Sequence, residues 1–218
     1  MTTVALTSPL PGRAEEILSE RFAVRIHRAD QLLTQEAVAD FIGAADGAVT
    51  LLANPITRRV FERYPSLRVV GNVAVGFDNI DLGGAEEHGV WVTNTPDVLT
   101  EATADLAWAL VLSVTRRLRQ TEDYLRSGRF QGWKLDLLLG RGIQGKTMGI
   151  VGYGRIGRAV ARRALASGMK VVYTDLEPDH EPDPPAEFLD LEDLLSTSQI
   201  VSLHAPLTTT TRHLMDEE

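Results

Sequence analysis

An apolar strand that leads into three spaced glycines constrains this 218-residue chain more than any other feature. The strand covers residues 148–151, the glycines are Gly152, Gly154 and Gly157, and a helical pattern follows. A second apolar strand then leads to Asp175, eighteen residues after the last glycine. In this fingerprint the first glycine permits a tight turn, the second lets the backbone approach a pyrophosphate, and the third lets the helix pack closely on the strand. The N–H groups at the helix start then face the phosphates, so the whole order predicts a dinucleotide site rather than an ordinary βα turn.

The acid at the end of the second strand predicts which dinucleotide binds. A carboxylate there accepts hydrogen bonds from the ribose 2′- and 3′-hydroxyls and repels a 2′-phosphate. From Asp175 to Asp193 the chain has nine acidic residues and no Lys or Arg. The sequence therefore predicts NAD(H) in preference to NADP(H).

Composition and charge exclude several classes of partner. The chain is 44% hydrophobic and 24% charged, as globular proteins are, and its formal net charge of −8 argues against nucleic-acid or anionic-membrane binding. The lack of cysteine excludes disulfides and thiolate chemistry. The N-terminus has no signal-peptide pattern, and the longest apolar run, residues 106–112, is too short to span a membrane. We therefore expect a cytoplasmic protein with no nucleic-acid or membrane partner, and we predict no metal site.

The first part of the chain alternates between strand and helix patterns. Strands are predicted at residues 4–6, 22–26, 48–52, 67–73 and 90–92, and helices at 11–18, 35–41, 58–64 and 82–88. Such alternation predicts an α/β fold with a parallel sheet between layers of helices. Thr34 is expected to cap the second helix. Pro96 disfavours helix just before it, so residues 94–97 predict a hinge between domains at 1–97 and 98–218.

The second domain is predicted to begin with one long helix from Thr100 to about Ser127. Its apolar half, residues 102–114, should be buried between layers, and its charged half, residues 116–126, should face solvent. Four strands are predicted, at 148–151, 170–174, 187–189 and 199–203, with a short helix at 191–195. A full dinucleotide domain has six strands in the order 3-2-1-4-5-6, so strands 5 and 6 are expected to lie outside these residues.

Two interpretations of the missing strands differ in function. In one, the chain is part of a longer enzyme. In the other, the natural product ends at Glu218 and is at most an NAD-binding or interaction protein. A sheet that stops at strand 4 would leave an edge and an apolar face uncovered, which soluble proteins avoid. We therefore favour the first interpretation.

Five segments together resemble one enzyme family. They are the glycine fingerprint and residues 72–81 (NVAVGFDNID), 95–105 (TPDVLTEATAD), 128–133 (GRFQGW) and 204–208 (HAPLT). On these segments the chain resembles the D-isomer-specific 2-hydroxyacid dehydrogenases, and within them the glyoxylate/hydroxypyruvate reductase branch. The resemblance implies a flavodoxin-like substrate domain at 1–97 and the first part of a Rossmann-type NAD-binding domain at 98–218. It also implies an active site in the cleft between them and a homodimer.

The resemblance assigns roles by position. The backbone of Val75 and Gly76 corresponds to the loop that holds the 2-oxoacid carboxylate, and Thr103 to a residue near the nicotinamide. Cofactor contacts are implied for the glycine fingerprint, for the acidic residue expected to bind the ribose, and for two residues after the fourth strand. These residues are Gly152, Tyr153, Gly154, Arg155, Ile156, Gly157, Asp175, His204 and Pro206. Two assignments have simpler alternatives, since Gly76 could end a strand and His204 could be a partly exposed histidine at a strand end.

The implied reaction interconverts a small 2-oxoacid and its D-2-hydroxyacid with NAD(H). It needs a cation to orient the substrate and a general acid to protonate the developing alkoxide. In the family an arginine, a glutamate and a histidine take these roles in segments beyond residue 218, so no catalytic residue is assigned. 3-Phosphoglycerate, D-lactate or formate chemistry stays open, and Arg58 with Arg59 could supply the basic patch that phosphoglycerate requires. Outside enzymes, the alternative is a corepressor-like protein that responds to NADH and binds peptides.

Overall fold

Two parallel sheets flanked by helices make up the part of the chain that the structure describes, residues 1–216. In this computed structural model the chain divides into two compact units, Met1–Asp97 and Val98–Glu218. The first unit contains β1 (Thr3–Leu6), α1 (Ala14–Ser19), β2 (Ala23–Ile26), α2 (Gln35–Ile42), β3 (Gly47–Thr50), α3 (Arg58–Arg63), β4 (Val69–Asn72), α4 (Leu82–Glu87) and β5 (Trp91–Thr93). The second contains α5 (Thr100–Thr115), α6 (Leu118–Arg126), β6 (Thr147–Val151), α7 (Arg155–Ala166), β7 (Lys170–Thr174), β8 (Glu187–Phe188), α8 (Leu191–Thr197) and β9 (Ile200–Leu203). This alternation confirms the predicted α/β class.

The first sheet has the strand order β2-β1-β3-β4-β5, with every pair parallel. This is the 2-1-3-4-5 order of flavodoxin-like sheets, as predicted. Apolar side chains of α2 and α3 form the core against it, and Ile42, Val60 and Phe61 are at most 1% exposed. Thr34 caps α2 as predicted, because its side chain accepts a hydrogen bond from the N–H of Ala37.

The second sheet has the order β8-β7-β6-β9, again with every pair parallel. This is the 3-2-1-4 part of a dinucleotide-binding sheet and confirms the Rossmann-type prediction. Helices α5 and α7 cover one face, in a core that includes Met148 and Val160. On the other face α8 places the fully buried Leu194 against Val151 and Val172.

The single helix predicted between residues 100 and 127 is wrong, because the structure breaks it into two. Helix α5 ends at Thr115 and α6 begins at Leu118. Between them Arg117 has a φ of 56°, in the left-handed region that non-glycine residues rarely adopt. The Thr115 carbonyl accepts the N–H of Arg141 at 2.7 Å. A distant segment thus takes the carbonyl that a continuing helix would have used.

The predicted burial of the apolar half of α5 is also wrong for the described chain. One face of the helix, with Ala104 fully buried, packs on α7. The opposite face leaves Leu106, Leu110 and Val114 exposed by 62%, 57% and 78%. The prediction that the charged part faces solvent is confirmed, since α6 contains no buried residue. Within residues 1–216 no helix has the length and apolar character to cross a membrane.

We expect Leu194→Ala to destabilise the second unit by about 2–5 kcal/mol, because it leaves a cavity where a fully buried side chain packs against the sheet. Leu195→Ala in the same helix is the matched control. Leu195 is 37% exposed, so its truncation should cost less than about 1 kcal/mol. Urea unfolding followed by far-UV circular dichroism measures both, and equal losses would contradict the packing of α8.

Candidate functional site

A cleft of about 490 Å³ opens in the second unit at the carboxyl ends of β6, β7 and β9. The strand order reverses at β6, because β7 pairs with one side of it and β9 with the other. Crevices at such reversal points are where open α/β sheets bind ligands. Five of the predicted cofactor residues line this cleft: Gly152, Gly154, Asp175, His204 and Pro206.

Two close approaches shape the glycine turn after β6. A Cβ atom on Gly152, where φ is 92°, would lie 2.6 Å from the nitrogen of Ala205, and one on Gly157 would lie 2.2 Å from the oxygen of Gly152. Both distances are too short for any side chain. Gly154 differs, because its φ is −76° and its Cβ would meet no atom within 4 Å. The packing of the protein itself therefore does not require glycine at position 154.

Helix α7 presents its N-terminal end to the cleft. Gly154 is the N-cap of this 12-residue helix, and no side chain caps it. The first N–H groups of a helix have no partner within the helix, and the helix dipole adds partial positive charge at that end. An arrangement of this kind binds phosphate groups.

Asp175 lies directly after β7, at the edge of the same cleft. One of its carboxylate oxygens accepts the N–H of Tyr153 at 2.7 Å, and the other accepts the N–H of Leu176 at 2.8 Å. The first bond holds the carboxylate beside the glycine turn. Because a carboxylate has about four acceptor positions, the exposed Asp175 retains capacity for hydroxyl donors.

The segment after β9 forms another wall of the cleft. The N–H of His204 donates to the Val151 carbonyl at 2.7 Å, and its ring Nε2 lies 2.9 Å from the Ser202 hydroxyl oxygen. The Thr211 hydroxyl donates to the Pro206 carbonyl at 2.6 Å. Burial lowers the pKa of His204 below its ordinary value, so the half-buried ring is neutral at neutral pH.

The remaining predicted cofactor residues do not line the cleft. Tyr153 and Gly157 are buried, Ile156 packs half-buried on the core, and Arg155 is exposed at the start of α7. Thr103 lies half-buried in α5 and is not among the residues that line the cleft. The role assigned to Thr103 therefore depends on the resemblance alone.

Val75 and Gly76 lie in the first unit, in the loop between β4 and α4. Strand β4 ends at Asn72, so Gly76 does not end a strand. The carbonyl of Val75 accepts the side-chain amide of Asn94 at 2.8 Å, and that of Gly76 accepts the amide of Asn72 at 2.9 Å. Within residues 1–216 the N–H groups of Val75 and Gly76 donate no hydrogen bond. The loop therefore presents two N–H donors while its carbonyls are held.

Buried and half-buried polar side chains support this loop. Asn72 is 1% exposed, and the fully buried Thr50 donates its hydroxyl to the Asn72 Oδ1 at 3.0 Å. The side-chain amide of Asn79 donates to the carbonyls of Leu51 and Asn54 at 3.2 and 2.9 Å. A buried polar network whose members are hydrogen-bonded holds one conformation. The carboxyl ends of β3 and β4 therefore determine the path of the loop.

Sequence reasoning missed part of the cleft wall. The residues not predicted as site residues are Val151, Thr174, Leu176, Leu191, Ala205, Thr208, Thr210, Thr211 and Leu214. The run of four threonines after Leu207 offered a signal, because threonine hydroxyls stabilise turns. The apolar residues offered none, since a cleft wall and a core have the same apolar pattern. No group of three or more His, Asp or Glu side chains in the described part of the chain is arranged to hold a metal ion.

Comparisons with known proteins agree with this geometry. Residues 108–218 match the model of a family described as "D-isomer specific 2-hydroxyacid dehydrogenase, NAD binding domain". The glyoxylate reductase of Thermococcus kodakarensis is 43% identical over 221 residues, which cover 99% of this chain and 66% of that protein. The chain thus spans just under two thirds of the length of the curated relatives it matches.

Solved structures show the same likeness. A Thermus thermophilus protein with 44% identity gives a TM-score of 0.91 over 98% of this chain and 68% of its own. The D-lactate dehydrogenase of Aquifex aeolicus, solved with NAD and lactic acid, is 25% identical and gives a TM-score of 0.82 over 96% of this chain and 62% of its own. The family resemblance seen in the sequence is therefore confirmed. This chain belongs to the D-isomer specific 2-hydroxyacid dehydrogenases, and its second unit carries the NAD-binding domain of that family.

Proposed function

We propose that the protein is an NADH-dependent reductase that converts a small 2-oxoacid of the glyoxylate type into the corresponding D-2-hydroxyacid. The observation that carries this proposal is the cleft at the reversal of strand order, where the glycine turn, Asp175 and His204 meet. Curated relatives named glyoxylate reductase support the substrate class. Hydroxypyruvate belongs to the same class, because it differs from glyoxylate by one hydroxymethyl group.

The residues around the cleft fit a dinucleotide. The open space beside Gly154 leaves room for a pyrophosphate close to the backbone, and the amides at the start of α7 would hold it. Asp175 would accept the hydroxyls of the adenosine ribose, and His204 with Pro206 would line the cofactor path. NADH supplies the hydride when it is bound.

The charge at the edge of the cleft supports NADH over NADPH. Asp175 would repel a 2′-phosphate, and the chain from there to Asp193 has no Lys or Arg to pair with one. The neutral ring of His204 adds no positive charge to the cleft. A 2′-phosphate would therefore meet repulsion, and no Lys or Arg is among the described residues that line the cleft.

For the substrate, we propose that the N–H groups of Val75 and Gly76 bind the carboxylate. Hydride addition to the substrate carbonyl carbon turns its oxygen into an alkoxide, which needs a proton donor, and a nearby cation would stabilise the charge. We assign neither role to a residue within 1–216. His204 is a poor proton donor, because burial keeps its ring neutral at neutral pH.

D-Lactate and 3-phosphoglycerate are the alternative substrates, and a corepressor-like protein is the alternative class. D-Lactate has support from the likeness to the Aquifex aeolicus enzyme. 3-Phosphoglycerate has less, because Arg58 is paired with Glu87 and lies 3.9 Å from Asp81, so its charge is already balanced. No observation on the described residues favours a corepressor-like protein that binds peptides.

We also propose that the protein works as a homodimer in the cytoplasm. Leu106, Leu110 and Val114 are spaced four residues apart on α5, so they share one helix face, and all three are exposed. Trp133 and Leu135 in the following irregular segment are 80% and 79% exposed. Soluble monomers rarely expose large apolar patches, and a second copy that brought the same surface would cover this one.

The enzyme produced from its complete coding sequence should oxidise NADH when glyoxylate or hydroxypyruvate is added, as measured by loss of NADH absorbance. With NADPH we expect kcat/KM to fall at least about tenfold, since phosphate repulsion at Asp175 should cost more than ~1.4 kcal/mol. A preference for pyruvate in the same assay would support the D-lactate alternative. No NADH oxidation with any 2-oxoacid would reject the enzyme class.

Gly154→Ala should weaken NADH binding by about tenfold or more while the free energy of unfolding changes by less than ~0.5 kcal/mol. The added methyl group meets no protein atom within 4 Å, so only a ligand would encounter it. Quenching of tryptophan fluorescence gives the dissociation constant. Gly142→Ala is the matched control, because that Cβ also meets no atom within 4 Å and lies outside the cleft. Unchanged NADH affinity in Gly154→Ala would place the pyrophosphate elsewhere.

Leu110→Glu should convert the dimer into a monomer, because it places a charge in the exposed stripe of α5. Sedimentation velocity measures the mass in solution. Ile17→Glu is the matched control, since Ile17 is 53% exposed on a helix of the first unit. A parent protein that is monomeric at micromolar concentration would contradict the dimer proposal.

A further inference from the structure

The acidic segment between β7 and β8, residues 176–186, is fastened to the start of the glycine turn and of α7 rather than left free. Its backbone is held at three places: the Pro184 carbonyl by the Tyr153 hydroxyl, the Asp183 carbonyl by Arg158, and the Asp179 N–H by the Tyr173 hydroxyl. Pro184 itself is buried. The three side chains that hold the segment are called the clamp here: Tyr153, Arg158 and Tyr173.

Tyr153 bonds the residue just before the acidic segment and a residue near the end of that segment. Its backbone N–H donates to Asp175 at 2.7 Å, and its hydroxyl donates to the Pro184 carbonyl at 2.5 Å. Its ring is 2% exposed and stacks on Tyr173, with ring centroids 4.2 Å apart. Burial raises the pKa of Tyr153 to about 12, so the hydroxyl stays protonated and remains a donor at neutral pH.

Arg158 holds the middle of the segment. Its guanidinium donates to an Asp179 carboxylate oxygen at 2.6 Å and to the Asp183 carbonyl at 3.0 Å, and it lies 4.7 Å from the centroid of the Tyr153 ring. The hydrogen bond from Arg158 lowers the pKa of Asp179, so this carboxylate is charged at neutral pH. Charge-assisted hydrogen bonds of this kind are stronger than neutral ones.

A dinucleotide turn needs only the backbone of residue 153, so the glycine fingerprint does not explain the contacts of its side chain. Neither Tyr153 nor Arg158 lines the cleft, whereas Asp175 and Leu176, where the acidic segment begins, do. The clamp therefore acts on the cleft indirectly, because it fixes the path of the backbone that follows Asp175.

We propose that Tyr153 and Arg158 are positioning residues that hold the acidic segment so that Asp175 meets the adenosine ribose, and that they thereby set the preference for NADH over NADPH. This inference depends on the proposed function, namely that the cleft binds NADH. It extends that function by assigning cofactor discrimination to two side chains outside the cleft.

Tyr153→Phe tests the proposal, because it removes one hydroxyl and keeps the stacked ring. We expect the dissociation constant for NADH to rise about fivefold while that for NADPH, which gains little from Asp175, changes less than about twofold. Arg158→Met, which removes the donors and keeps much of the side-chain length, should act in the same direction and serves if Tyr153→Phe does not fold. Tyr64→Phe in the first unit is the matched control and should change neither constant, because its hydroxyl contacts only Asp40 among the described residues.

A double-mutant cycle separates positioning from general stability. If Tyr153 acts through Asp175, Tyr153→Phe should have no further effect on NADH binding in an Asp175→Ala background. Equal weakening of NADH and NADPH, or equal effects of Tyr153→Phe in both backgrounds, would overturn the proposal. If the parent protein binds NADH, unchanged NADH binding in both Tyr153→Phe and Arg158→Met would also overturn the proposal. A parent that binds neither dinucleotide would instead overturn the proposed function, and this inference with it.

Discussion

The close contact between the start of α7 and the carboxyl end of β6 determines the geometry of the second unit. A Cβ on Gly157 would lie 2.2 Å from the Gly152 oxygen, so the helix can leave the strand at this distance only because position 157 has no side chain. The same turn packs against the chain after β9, where a Cβ on Gly152 would lie 2.6 Å from the Ala205 nitrogen. These two contacts bring the helix N-terminus and the His204 segment to the same cleft. Without them, the amide donors of α7 would not face the space that Asp175 borders.

The two units shape the loops at the carboxyl ends of their strands by different means. In each, a parallel sheet ends in a loop with backbone donors at its carboxyl edge. The second unit shapes its loop with glycines, because a helix must begin immediately after the turn. The first unit shapes the Val75–Gly76 loop with side-chain amides, since Asn94 holds the Val75 carbonyl and Asn72 holds the Gly76 carbonyl. In the first unit the loop N–H groups stay available while the carbonyls of Val75 and Gly76 are occupied, and in the second unit the available N–H groups are those at the uncapped start of α7.

In the second unit the surroundings of each acidic residue matter more than the number of acidic residues. The segment after β7 is acidic, but its Asp179 is neutralised by Arg158, whereas the bonds of Asp175 to described residues are to backbone N–H groups alone. Within residues 1–216 the carboxylate at the cleft thus has no cationic partner. That difference between two acids a few residues apart underlies both the expected choice of NADH and the role inferred for the clamp.

Patterns local in the sequence determined most of the fold and the centre of the site. The alternation of apolar strands and helices, the Thr34 cap and the glycine fingerprint with Asp175 each lie within one element or a few successive ones, so most elements other than α5 were predicted within a few residues of their observed ends. Tertiary structure decided the rest, because the deciding partners are far apart in the chain. The N–H of Arg141 donates to the Thr115 carbonyl where α5 ends. Because only one face of α5 packs on α7, Leu110 on the other face is exposed. The hydrogen bond from Tyr153 to Pro184 and the asparagine network under Gly76 likewise form only when distant segments meet, and no local periodicity encodes such pairings.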